Sequence, residues 1–120
     1  MVYRFADRLF PDFKKSGQPE RVAIIWRYNG SKGLPVTSER ESMDALEDAV
    51  NRVAPNNATL AFVSTGNNQR RWVYYAESAN TFIEVVRSEQ SKASDVSLEF
   101  ETASDPDWTF HDAFVRSIRR

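Results

Sequence analysis

The run Arg21 to Tyr28 (RVAIIWRY) constrains the fold more than any other stretch of the chain. β-branched and aromatic residues dominate it, and Asn29-Gly30 stops it, so it reads as a strand. Val22, Ile24, Trp26 and Tyr28 share one face, while Ala23 and Ile25 lie on the other. A strand apolar on both faces is expected at the centre of a sheet, covered on both sides. Hydrophobic residues make up 41% of the chain and charged residues 28%. That is an ordinary globular balance, able to supply the cover.

The flanking elements follow from periodicity. Before the central strand, Leu9, Phe10 and Phe13 are apolar but Pro11 interrupts them, and Ser16-Gly17-Gln18-Pro19 reads as a turn. A short strand near Asp12 to Lys15 could pair back as a hairpin. After the loop Asn29 to Val36, Ser38 and Glu41 have capping-box spacing. Met43, Leu46, Val50 and Val53 then form one helical stripe, ended by Pro55-Asn56-Asn57. Thr59 to Thr65 and Arg71 to Ala76 read as a hairpin around Gly66-Asn67-Asn68. Ser78 caps a second helix carrying Ala79, Phe82, Ile83 and Val86, which fades through Ser88 to Ala93. Val96 to Thr102 alternates, with Val96, Leu98 and Phe100 on one face and Glu99 and Glu101 on the other, as in a half-buried strand near an edge. Asp105 is expected to cap a last helix with Pro106 in its first position. Trp108, Phe110, Phe114, Val115 and Ile118 supply that helix with apolar residues.

The order is β-α-β-β-α-β plus a C-terminal helix. An α+β fold is expected: a ferredoxin-like (split βαβ) antiparallel sheet of four strands with two helices on one face. The expected organisation is one domain over 1–120, with a core at 20–102 and a helical extension at 105–118. The second sheet face needs cover from the N-terminal segment, the C-terminal helix or a second copy of the chain.

Three stretches carry a family likeness. They are Gly33-Leu34-Pro35 followed by a helix containing Leu46-Glu47-Asp48-Ala49-Val50, the strand Arg70-Arg71-Trp72-Val73-Tyr74-Tyr75-Ala76, and the segment Asp105-Pro106-Asp107-Trp108-Thr109-Phe110. In this order, from about Phe13 to Val115, the chain resembles the bacterial family known as domain of unknown function 695. More distantly it resembles the regulator B family of ribonuclease E inhibitors. The segment containing Asp105, Pro106, Asp107, Trp108 and Phe110 is the most specific part. Val115-Arg116-Ser117-Ile118 departs from the family's apolar, Pro-terminated close. The resemblance implies a ferredoxin-like fold and no established activity. Its more distant branch implies action by binding another protein.

The chemistry-bearing residues are sparse. There is no Cys, which excludes thiol nucleophiles and Cys-based zinc sites. His111, the single imidazole, lies four residues after Asp107, but a zinc site wants three or four ligands, so no metal or cofactor is expected. Ser64 and Ser117 lack a G-x-S-x-G context, so no catalytic residue is assigned. Glu99 and Glu101 could divide acid and base roles, though an alternating edge strand gives the same pair as a solvated face. The loop Asn29-Gly30-Ser31-Lys32-Gly33 lacks the phosphate-binding loop pattern and precedes acids, so it reads as a connector. Trp26, Tyr28, Trp72, Tyr74 and Tyr75 could stack RNA bases on a sheet of this topology, but the RNA-recognition consensus is absent. With a net charge of −1, nucleic acid is disfavoured.

The reading is a non-catalytic, cytoplasmic binding or regulatory protein acting through a protein partner, as an inhibitor, regulator or immunity-like protein. The candidate binding residues are Trp26, Trp72, Tyr74, Arg70 and Arg71. Arg and aromatic side chains are enriched at interface hot spots. Glu39, Glu41, Asp44, Glu47 and Asp48 offer an acidic helix face to a basic partner. The alternative is a small-molecule or enzymatic domain with a pocket on the non-helical sheet face, lined by Trp26, Trp72 and Tyr74 and shared across a homodimer. No signal peptide or membrane span is expected.

Overall fold

The computed structural model describes residues 2–5, 17–30, 32–53, 58–93 and 97–118. The elements are β1 (Val2–Phe5), β2 (Glu20–Arg27), α1 (Thr37–Val53), β3 (Ala58–Gly66), β4 (Gln69–Ala76), α2 (Ala79–Ala93), β5 (Leu98–Ser104) and α3 (Thr109–Ile118). The fold is a mixed α/β arrangement of an antiparallel sheet and three helices. The sheet order is β1-β3-β4-β2-β5. β2 pairs with β4 on one side and β5 on the other, with Ile24 opposite both Trp72 and Phe100. The doubly apolar strand is thus interior, as its pattern requires. The sheet has five strands rather than four, because β1 adds to the free side of β3. Four residues are too few to show a period, which hid β1 from the sequence. The anticipated strand at Asp12 to Lys15 lies outside the described residues.

Each sheet face has its own core. On the first face Val22, Ile24 and Trp26 of β2, with Tyr28 just beyond its end, join Val63, Trp72 and Tyr74 beneath α1 and α2. These helices contribute Met43, Leu46, Val50, Ala79, Phe82 and Val86. On the second face Ala23, Ala61, Phe62, Val73 and Tyr75 pack with Trp108 and Phe114. The C-terminal helix therefore covers the β3–β4 half of that face. A bulge between Leu60 and Phe62 shifts the register of β3. It lets Ala61 and Phe62 join this second core, while Leu60 packs on the first.

Local chemistry sets the joints. Asn67 and Asn68 both take positive φ, 53° and 61°, which suits a two-residue hairpin turn. This turn clasps the β2–α1 loop. Asn68 N–H donates to Gly33 O, and Tyr28 N–H donates to Asn68 O. A side-chain β-carbon at Gly30 would fall 1.7 Å from the Leu34 carbonyl oxygen. Glycine in this loop therefore serves a close backbone approach. Gly30→Ala is expected to cost more than about 1 kcal/mol in urea unfolding, because a backbone atom, not a mobile side chain, must yield. α1 begins at Thr37, so Ser38 lies inside its first turn rather than at its cap. Ser78 does cap α2, accepting from Thr81 N–H at 3.4 Å. β5 is an edge strand whose Leu98 and Phe100 face the first core.

Candidate functional site

The aromatic residues of β2 and β4 carry polar tips, and those tips have to be met when the rings are buried. α1 meets them. Trp26 Nε1–H donates to Glu39 at 3.0 Å, and Trp72 Nε1–H donates to Glu47 at 2.8 Å. Tyr74 O–H donates to Asn51 at 2.8 Å. Arg70 reaches Asp44 at 2.8 Å and Thr65 at 3.0 Å. Glu39, Asp44, Glu47 and Asn51 fall three to five residues apart, beside the core residues Met43, Leu46 and Val50, so the margin of the apolar stripe carries the acceptors.

This placement corrects the expected pocket. Trp26, Trp72 and Tyr74 lie on the helix-covered face, each at most 3% exposed, and line no cleft on the other. Arg70 is buried beside them. The acidic face of α1 is also reduced, since Glu39, Asp44 and Glu47 bind the sheet and only Glu41 and Asp48 stand apart, both exposed. An aromatic residue with a polar tip looks the same in sequence whether it binds a ligand or a neighbouring helix. The run of acceptors at 39, 44, 47 and 51, three to five residues apart beside the apolar stripe of α1, was the signal that could have told them apart.

The second face is built around Asp105. Its Oδ1 accepts from Thr109 N–H at 2.9 Å, and its Oδ2 from Phe110 N–H at 3.0 Å and Tyr75 O–H at 2.7 Å. Asp105 thus caps α3, but from further upstream than expected. Pro106 and Asp107 form a turn closed by Trp108 N–H donating to Asp105 O, and the helix starts at Thr109. Pro106 is therefore not the first helical residue. The misplaced start has a cause in Trp108, whose φ of 55° is left-handed. Large residues rarely adopt that conformation.

Trp108 is fully buried and stacks on Tyr75, with ring centroids 4.2 Å apart and planes 13° apart. Its indole N–H donates to Gln18 O at 3.0 Å. His111 is buried too, edge-on to Trp108. Asp107 is exposed in the turn, apart from any helical alignment with His111. Among the described residues, no group of three or more His, Cys, Asp or Glu could hold a metal ion. Burial pushes the Asp105 carboxyl upward. The bonds from Tyr75, Phe110 and Thr109 and the charge of Arg21 outweigh it, leaving the pKa below the ordinary 3.8. Burial, then the bond to Asp105, raises Tyr75 well above the usual phenol range.

Beyond α3 the second face turns polar. Arg27 pairs with Glu99 at 2.7 Å, and Arg71 pairs with Glu101. Between this ladder and α3 lies a hollow of about 40 Å³, with Ala23 and Val73, Phe110, Arg21, Arg71 and Glu101 in its lining. Arg71 is thus the one expected binding residue that the structure places on an accessible surface, with 30% of its side chain exposed. Arg21, absent from the expected set, stands beside it with its guanidinium 4.3 Å from the Phe110 ring centroid.

Residues 2–115 match the sequence profile of a family of unknown function, DUF695. No curated protein matches the chain. No helix among the described residues is long and apolar enough to cross a membrane.

Proposed function

The chain belongs to the DUF695 family, whose function is unknown, and from that premise we propose a binding or regulatory protein that acts through a protein partner without catalysing a reaction. The observation that carries the proposal is the division of labour between the two sheet faces. The tips of Trp26, Trp72 and Tyr74 are committed to α1. The second face offers the pairs Arg27–Glu99 and Arg71–Glu101, the latter sharing a hollow with Phe110, which is 38% exposed. Exposed ion pairs contribute only about 0–1 kcal/mol each, so they can exchange for intermolecular pairs at little cost. An aromatic residue and arginines beside exchangeable carboxylates suit a polar-rimmed protein interface.

The proposal extends to finer assignments. The β2-α1-β3-β4-α2-β5 core is taken as the ferredoxin-like arrangement, in a single domain with α3 as its extension. The protein is taken as bacterial and cytoplasmic, with a distant relation to regulator B of ribonuclease E. The test is affinity capture from native lysate with wild type, the double variant Arg27→Glu/Arg71→Glu, and the control Glu41→Lys on the exposed face of α1. One stoichiometric protein is expected with wild type and the control, and about tenfold less with the double variant. Recovery of no stoichiometric protein, or equal recovery with all three, defeats the proposal.

A further inference from the structure

Arg21 opens β2 on the second face and has only about a third of its side chain exposed. Its Nη1 stands 3.7 Å from Asp105 Oδ2, too far for a hydrogen bond. Asp105 already accepts from Tyr75, Thr109 and Phe110, so its lone pairs point elsewhere. Arg21 instead lies over the Phe110 ring, a contact that holds its charge without engaging its N–H groups. Arg71, across the hollow, commits Nη2 to Glu101. Each guanidinium has five N–H donors in a planar fork. The hollow therefore joins two donor-rich forks above a small apolar floor of Ala23 and Val73.

We infer that this hollow takes the carboxylate of an Asp or Glu side chain on the protein partner, held between Arg21 and Arg71. The inference rests on the protein-binding reading above and names the chemistry of its anchor. A carboxylate is planar and presents two oxygens, matching guanidinium bidentately. The hollow is small, and its lining brings both guanidiniums to one place, which suits a single planar anion. Glu101 on the rim, 60% exposed, disfavours a doubly charged phosphate, and the chain's net charge of −1 gives a polyanion no long-range attraction. The ion pair between Arg71 and Glu101 is open enough to water that Glu101 can swing aside as the incoming acid docks.

The test follows the arginine Nε–H resonances by NMR during titration with N-acetyl-glutamate N-methylamide, against sodium chloride at equal ionic strength. Saturable shifts confined to Arg21 and Arg71 are expected. Binding to Arg21→Lys and to Arg71→Lys, which keep charge but lose the fork, is expected to be about tenfold weaker. Unchanged far-UV circular dichroism and unfolding midpoints would show that α3 stays docked in these variants. Shifts no larger than those from chloride, or Lys variants that bind like wild type, overturn the inference. Tighter binding of inorganic phosphate or oligouridylate than of the glutamate probe also overturns it, in favour of a nucleic-acid ligand. The two readings fail separately. A partner captured equally by wild type and Arg21→Lys leaves protein binding standing and removes the carboxylate anchor. Probe binding with no captured partner keeps the hollow's chemistry and sinks the protein-partner reading.

Discussion

Trp108→Ala is expected to lower the unfolding free energy by about 4 kcal/mol, read from urea denaturation by far-UV circular dichroism. The indole is fully buried, stacked on Tyr75 and bonded through Nε1–H to Gln18 O. Truncation empties that space and leaves the Gln18 carbonyl without this donor. Folded domains are stable by only about 5–15 kcal/mol, so the loss is a large share of the total. The backbone supplies a sharper criterion. At a φ of 55°, alanine keeps the steric penalty of the left-handed region, whereas glycine has none. Trp108→Gly is therefore expected to be about 1 kcal/mol more stable than Trp108→Ala, the reverse of the usual helix ranking. Equal stability for the two variants would mean that the left-handed turn relaxes once the indole is gone.

Asp105→Ala is expected to cost about 3 kcal/mol, because three donors lose a charged acceptor in a buried setting. Tyr75→Phe removes one of them and is expected to cost about 1 kcal/mol, and less in the Asp105→Ala background, since the two share one bond. The carboxylate also gives the effect a pH signature. Its folded pKa lies below the ordinary 3.8. The stabilisation is therefore fully present above the unfolded value and is lost as pH falls through the folded one. The gap between wild type and Asp105→Asn should hold from neutrality to about pH 5 and shrink below about pH 4. A gap that stays constant down to pH 3 would show that Asp105 acts through its shape and not its charge.

The helices and central strands were legible because each has a long, unambiguous period. Met43, Leu46 and Val50 could only face a core, and Leu98 and Phe100 against Glu99 and Glu101 could only be a half-covered edge strand. The side of β2 that meets α1 was not legible, since Val22, Ile24 and Trp26 compete with Ala23 and Ile25 and all are buried. That ambiguity misplaced the aromatic site. Trp26, Trp72 and Tyr74 looked like a binding surface until the acceptors on α1 fixed their orientation. The start of α3 escaped for another reason. Asp105-Pro106 is an ordinary helix opening, and nothing in the sequence signals that Trp108 takes a left-handed turn before the helix begins. Arg21 was overlooked because its interest lies in a neighbour, Phe110, that is 89 positions away in the chain and reaches it only across the sheet.

Trp108 bonds to Gln18, and Asp105 N–H donates to Pro19 O at 2.7 Å, so the approach to β2 is fastened by residues some 90 positions downstream. β2 itself lies between β4 and β5. During synthesis the first interior strand must wait for both neighbours and then for this fastening. At translation rates of about 5–20 residues per second, the RVAIIWRY ribbon stays unshielded for several seconds after it leaves the ribosome. A nascent chain with so distant a closure is a natural client for holding chaperones, and slowed elongation over the stretch after β4 would lengthen that dependence.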